Sequence, residues 1–309
     1  MNERKGIGVM QNVQPEIRIH VFHTGRVCVS PGLSFKDAEK NPNPVQLTLL
    51  SSYGRKQRLW LPVSAYLIEH PQGKILVDTG WHREISPKGE YSCWAQIRHL
   101  GLAHYLLNQG VLPLGESLVE QLARRNIQPK DIDYVLLTHL HSDHASGLRQ
   151  LKEAKHILVS EEEWQDTKAH AERYVTSMWK GVNMETFAFA ETGQGPVGRS
   201  FDLFGDGSVE MIQIPGHTSG LATVKISHGD KFVLLFADGG YAEKSWKEMI
   251  PPGTALDAPQ AYRSLQWIHD MSQKEECLES LANHDMDVIP HEIVYLYLGD
   301  VGNVRRQRQ

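Results

Sequence analysis

The segment His139-Leu140-His141-Ser142-Asp143-His144 puts three imidazoles and a carboxylate within six residues, directly after the apolar run Tyr134 to Leu137 and Thr138. Such a run closing on a polar residue reads as a buried strand that delivers a loop. In an extended loop, residues at i and i+2 point to the same side, so His139 and His141 can grip one ion. Asp143 and His144 fall where the chain turns into a helix, and can be aimed at a second ion nearby. Imidazole together with carboxylate suits zinc, while iron, manganese and cobalt accept the same ligand set. Any fold that uses this segment must end a buried strand at a cleft and bring further ligands to it from distant parts of the chain. Half of the 16 histidines carry no such signal: His20, His70, His99, His104, His156, His170, His228 and His269 read as surface or satisfied core residues.

Around that segment the pattern alternates between strands and helices. Glu16 to Phe22 alternates as a strand, and Pro62 to Glu69 with Lys74 to Val77 reads as a hairpin around a Pro-Gln-Gly turn. Leu114 to Arg125 has apolar residues at helical spacing, and Ser142 is placed to cap a helix running through Leu148 to Leu151. His156 to Val159 reads as a strand, Glu161 to Trp179 as helical, and Gly193 to Arg199 as a Gly-rich loop. Val209 to Ile214, Ala222 to Ile226 and Lys231 to Phe236 follow as three short strands. Pro259 to Leu281 reads as one long helical stretch, and Asp287 to Pro290 as a last short strand leading to His291. Two sheet-rich halves, each followed by helices, predict a layered α/β sandwich. Neither an internal repeat nor a low-complexity linker interrupts it, so one domain is expected over residues 1–309.

The formal net charge is -5, from 32 basic and 37 acidic residues, which leaves no cationic excess for a nucleic-acid backbone. Arg305, Arg306 and Arg308 form a short terminal run that reads as solvated. Cys28, Cys93 and Cys277 are odd in number and far apart, against a disulfide framework and in keeping with a reducing compartment. Met1 to His20 lacks the apolar core of a secretion signal, and no segment holds 18 uncharged apolar residues. The expectation is a cytoplasmic protein with no membrane partner.

At His139 to His144 the chain resembles the metallo-β-lactamase superfamily, whose hallmark is an H-x-H-x-D-H loop between a strand and a helix. The resemblance covers most of the chain and implies a four-layer αββα sandwich, here with insertions near 25–60 and 161–205. Upstream, Ile75-Leu76-Val77-Asp78-Thr79-Gly80 is similar to the superfamily's strand ending in D-T-G, which implies that Asp78 supports the metal loops from behind. Downstream, Ile214-Pro215-Gly216-His217-Thr218-Ser219-Gly220 resembles the segment that supplies a further histidine ligand, although Leu221 stands where the family often has another His. Phe236-Ala237-Asp238-Gly239-Gly240 matches the bridging aspartate. Val288-Ile289-Pro290-His291 matches the last ligand. The implied set is therefore His139, His141 and His217 on one ion, and Asp143, His144 and His291 on the other, with Asp238 shared. His284 competes for the last place and is set aside because it lies in what reads as a helix end.

Two divalent ions, zinc first among the candidates, would generate a bridging hydroxide at neutral pH and polarise a carbonyl, equipment for hydrolysing an ester, lactone, thioester or amide. Only 18 residues follow His291, against the helical domain of glyoxalase-II-like thioesterases, and His141 stands where flavodiiron relatives carry Glu. Tyr241, three residues after Asp238, resembles the tyrosine of the N-acyl homoserine lactonase group, whose hydroxyl reaches the substrate carbonyl. Leu61-Pro62-Val63-Ser64-Ala65-Tyr66-Leu67-Ile68 is also similar to that group. The resemblance thus implies opening of an acyl homoserine lactone, with Tyr241 stabilising the oxyanion and Asp143 carrying the proton. Another small ester, lactone or β-lactam substrate is the alternative. A non-catalytic binding protein on the same scaffold is weaker, because such proteins usually lose ligands. Phe35, Tyr53, Trp60, Trp81, Tyr91, Trp94, Trp164 and Trp179 are candidates for an apolar cleft wall, each also readable as core. The two insertions could instead cap the site or build a homodimer interface.

Overall fold

The computed structural model describes residues 16–34, 58–295 and 305–308, and its strands form two sheets. β1 (Ile17–Val29), β2 (Leu59–His70), β3 (Gly73–Val77), β4 (Gln109–Val111), β5 (Tyr134–Leu136), β6 (His156–Ser160) and β7 (Glu185–Phe187) belong to the first. β8 (Ala190–Glu191), β9 (Arg199–Asp202), β10 (Val209–Gln213), β11 (Ala222–His228), β12 (Lys231–Ala237) and β13 (Cys277–Ala282) make the second; β14 (His291–Tyr295) and β15 (Arg305–Arg308) return to the first. The first sheet runs β15-β14-β1-β2-β3-β5-β6-β7 with β4 paired to β1, and the second β13-β12-β11-β10-β9-β8.

Period-two alternation sorts the strand side chains into layers. Along β2, Leu61, Val63, Ala65 and Leu67 face one apolar cluster, with Leu118, Leu122, Leu148 and Leu151 from helical segments. Tyr66 and Ile68 face the opposite way, into a second cluster shared with Val209, Met211, Val224 and Val233 of the other sheet. β12 divides likewise: Val233 and Leu235 join that central cluster, whereas Leu234 and Phe236 meet Leu265 and Ile268 of the helix Ala258–Ser272 in a third. Three apolar seams between helices, sheet, sheet and helix make the four-layer αββα sandwich that the motifs imply. Among the described residues, no helix is long and apolar enough to cross a membrane.

Several element boundaries differ from the sequence reading. The helix after β6 spans only Glu161–Ala169 and gives way to two short 3-10 turns, Ala171–Arg173 and Thr176–Trp179. His141, not Ser142, occupies the cap position of the helix Ser142–Ala145. The long helical stretch ends at Ser272, and Cys277–Ala282 is strand β13, parallel to β12. The proposed strand Asp287 to Pro290 is a turn, and His291 opens β14 instead of closing a strand. Arg305–Arg308 pairs through its backbone as β15, antiparallel to β14.

Candidate metal centre

β3 and β5 are parallel neighbours, as are β12 and β13, so their carboxyl ends lie side by side at one rim of the sandwich. Asp78 follows β3, Thr138 and His139 follow β5, Asp238 follows β12, and His284 lies two residues beyond β13. His217 arrives on the turn between β10 and β11. Asp78 and Ala237 hold left-handed backbone, at φ 57° and 45°. For residues with a Cβ that conformation costs about 1–3 kcal/mol each, and it is tolerated where the surrounding structure over-determines the chain.

The ligating atoms gather into two adjoining groups, His139, His141, His217 and Asp238 in one, Asp143, His144 and His284 in the other. Asp238 stands between them. Its Oδ2 lies 3.3 Å from His217 Nε2 and 3.9 Å from His139 Nε2, whereas its Oδ1 lies 3.1 Å from both His144 Nε2 and His284 Nε2. His141 Nδ1 is 2.9 Å from His217 Nε2, and His284 Nε2 is 3.4 Å from Asp143 Oδ2. His139 Nε2, His144 Nε2, His284 Nε2 and Asp238 Oδ1 are buried and make no hydrogen bond. Buried polar atoms that converge on one point without bonding one another are what a shared cation requires, and N and O donors suit a divalent ion. The residues therefore fit two metal ions.

The far side of four of the five rings is held, His141 being the one that turns Nδ1 to the centre. His144 Nδ1 lies 2.8 Å from Asp78 Oδ2, and Asp78 also accepts from Thr138 N–H (2.9 Å) and its hydroxyl. His284 Nδ1 faces the Pro62 carbonyl at 2.8 Å, His139 Nδ1 the Thr138 hydroxyl at 3.1 Å, and His217 Nδ1 the Thr254 hydroxyl at 3.2 Å. Each contact engages Nδ1 and points Nε2 at the centre. Burial, reinforced by neighbouring imidazoles, holds His139 and His141 well below the usual histidine range; burial also takes His217 down to about 3. For His144 and His284 burial acts in the same sense but is outweighed, chiefly by the Asp238 carboxylate, and both are raised. Three carboxylates, Asp78, Asp143 and Asp238, thus draw positive charge into the second group, a demand that a divalent ion meets.

The expected last ligand requires correction. His291 sits apart, its Nε2 2.8 Å from Glu279 Oε2 and its Nδ1 2.7 Å from the Ile289 carbonyl. His284 takes the place beside Asp143 and His144. The cause is β13: with Ala237 in register with Ala282, the parallel pair carries His284 to the level of Asp238. The sequence carries no local signal for this, since Leu278 and Leu281 continue the helical spacing of the preceding stretch up to Asn283 and His284.

Tyr241 is buried beside both groups, its ring stacked 4.9 Å from His284 and edge-on 6.3 Å from His217. Burial, then the charges of Asp238 and Asp143, raise its hydroxyl well above the ordinary tyrosine value. Of the aromatic residues considered for a cleft wall, Trp81 is fully buried core, Trp164 and Trp179 pack in the helix-side cluster, and Trp60, Tyr91 and Trp94 are exposed. Phe35 and Tyr53 lie outside the described residues. A further group, His82, Glu84 and His99, is already engaged: Arg149 pairs with Glu84, His82 Nδ1 accepts the Glu84 N–H, and His99 Nε2 bonds the Ser146 hydroxyl.

A family model of the metallo-beta-lactamase superfamily matches residues 58–282. The N-acyl homoserine lactonase AttM of Rhizobium radiobacter is 25% identical over 236 residues, 74% of this chain and 83% of that protein. The N-acyl homoserine lactonase AiiA of Bacillus thuringiensis subsp. kurstaki is 25% identical over 232 residues, covering 74% and 82%. In three dimensions, a mutant of B. thuringiensis AiiA with N-decanoyl-L-homoserine bound at its active site aligns with a TM-score of 0.67 at 21% identity, over 90% of this chain and 95% of that one.

Proposed function

The chain belongs to the metallo-beta-lactamase superfamily and is a metal-dependent hydrolase, and from that premise we propose that it opens the ring of a lactone, an N-acyl homoserine lactone before others. The observation that carries this reading is the Asp238 carboxylate set between two groups of buried ligand atoms with the Tyr241 ring stacked on one of them. The similarity to two proteins named N-acyl homoserine lactonases supports the substrate class.

In this reading His139, His141 and His217 would hold one ion and Asp143, His144 and His284 the other, with Asp238 available to both. When bound, the pair supplies an activated water and a Lewis acid for the carbonyl. The protein does the rest. Tyr241 donates its hydroxyl proton as a hydrogen bond to the carbonyl oxygen as negative charge builds there, an interaction of about 3 kcal/mol for a well-placed donor. Water oxygen joins the carbonyl carbon as Asp143 takes up the proton that the water loses, the ring C–O bond breaks, and Asp143 passes that proton to the departing oxygen. The product is the open hydroxy acid.

Hydrolysis of an N-acyl homoserine lactone is compared with that of an aliphatic lactone, an aryl ester and a β-lactam, with and without chelator. The expected result is fastest turnover of the acyl homoserine lactone and its loss on chelation. Metal-loaded protein that leaves all lactones intact while cleaving the ester or β-lactam would overturn the substrate reading, and chelator-insensitive turnover would overturn the metal reading.

A further inference from the structure

One fully buried carboxylate has no place in either ligand group. Glu163, in the first turn of the helix Glu161–Ala169, accepts three hydrogen bonds. Leu140 N–H donates to Oε1 at 2.9 Å, the Tyr174 hydroxyl to the same oxygen at 3.1 Å, and the Thr218 hydroxyl to Oε2 at 2.6 Å. Leu140 stands between His139 and His141, and Thr218 directly follows His217. The Tyr174 ring in turn packs 5.4 Å from that of His141. A single side chain therefore ties together the two loops, 78 residues apart at Leu140 and Thr218, that carry the three histidines of the first group.

The surroundings fix this helix to the second loop. Ser160 Oγ donates to the Gly220 carbonyl at 3.0 Å and accepts from Glu163 N–H at 3.1 Å. A Cβ on Gly220 would run into the backbone of Glu163, so only glycine admits the approach. One turn on, Asp166 accepts from Ser219 N–H at 3.1 Å and from the Ser219 hydroxyl at 3.0 Å. Glu163 is fully buried, and that burial pushes its carboxyl up to about 7.

We infer that Glu163 is the positioning residue of the His139, His141 and His217 site, holding two separate loops at the mutual distance one ion needs. The inference rests on the two-ion reading above but not on the substrate. Outer contacts of this kind typically alter metal affinity 10–100-fold when removed. Here the effect should fall on one ion of the pair, because none of the three hydrogen bonds that Glu163 accepts comes from Asp143, His144 or His284.

Zinc binding is titrated against a competing chelator for the wild-type chain and for Glu163→Ala, Thr218→Val and Glu163→Gln, with thermal unfolding of each zinc-free protein alongside. Wild type is expected to bind two zinc ions. Glu163→Ala should weaken one of them at least tenfold and leave the other unchanged, and Thr218→Val, which deletes one donor at nearly constant volume, should weaken the same ion less. Glu163→Gln should restore most of the affinity, since its carbonyl oxygen still accepts from Leu140 N–H while its amide can donate to Thr218 Oγ1. Unchanged affinity for both ions in Glu163→Ala and Thr218→Val, whatever the fall in melting temperature, would overturn the inference, as would equal weakening of both. If the zinc results are as expected but no lactone is hydrolysed, the substrate reading fails and the positioning role stands.

Discussion

Asp238 brings a carboxylate into a pocket shared with five imidazoles, and its two oxygens face different groups of them. At this scale the decisive comparison is between two histidines seven residues apart. His284 is fully buried with its Nε2 aimed at Asp238 and Asp143, whereas His291 is engaged by Glu279 and the Ile289 carbonyl. His284→Ala should therefore lower zinc content from two ions toward one and reduce lactone turnover at least 100-fold. His291→Ala should leave two ions bound and turnover within a few-fold of wild type. Metal analysis and initial rates on the same preparations check both. Tyr241→Phe keeps the ring stacked on His284 but removes the hydroxyl, so turnover should drop about 100-fold, the loss of one oxyanion donor, with zinc content unchanged. Undiminished turnover in that variant would make Tyr241 a packing residue.

Among the elements, the turn bearing His217 is seated by the helix Ala258–Ser272. Asp257 caps that helix through Gln260 N–H (2.9 Å), its own N–H donates to the Gly216 carbonyl at 2.9 Å, and Ser264 Oγ donates to the Pro215 carbonyl at 2.7 Å. Gly216 itself has φ +137° and no room for a Cβ, which would enter the backbone of Ala261. Gly216→Ala should consequently displace the turn, lowering the melting temperature of the zinc-free protein by several degrees and weakening zinc binding at the His217 site; a differential scan and a zinc titration test it. The same helix shows where periodicity misleads. No Gly or Pro separates Ser272 from Cys277, and Leu278 and Leu281 continue a helical spacing, so the chain reads as one helix to Leu281. Pairing with β12 supplies the backbone partners that make Cys277–Ala282 a strand instead.

Across the whole molecule, buried titratable groups set how stability responds to pH. Burial takes His23 and His82 down to about 4 and His217 to about 3, so in the zinc-free protein each stays neutral where its unfolded counterpart, near 6.5, already binds a proton. The unfolded state then holds more protons, and stability should fall as pH drops from about 6.5 toward 4. Glu163 works in the opposite sense. Its folded pKa of about 7 exceeds the unfolded value, so its contribution is fully present at low pH and is lost as pH rises through 7. Relative to wild type, Glu163→Gln should gain stability between about pH 4.5 and 7, by up to about 3 kcal/mol. Urea unfolding of both zinc-free proteins at a series of pH values measures this, and a difference independent of pH would refute it.

In the sequence by itself, short-range spacing determined a layered α/β sandwich and the four candidate ligands from His139 to His144, while the four-layer form and the candidates His217 and Asp238 followed from the resemblance to the superfamily. Period-two runs assign side chains to sheet faces, and the loop from His139 to His144 brings four candidate ligands within six residues whatever the rest of the chain does. Tertiary structure alone decided the remainder. Whether His284 or His291 reaches Asp238 depends on which strand ends are neighbours, and the partnership of β12 with β13 across some forty residues leaves no local trace. Glu163 was equally hidden: a glutamate in the first turn of a helix is ordinary, and its role follows only from the three donors, on Leu140, Tyr174 and Thr218, that the fold gathers around it.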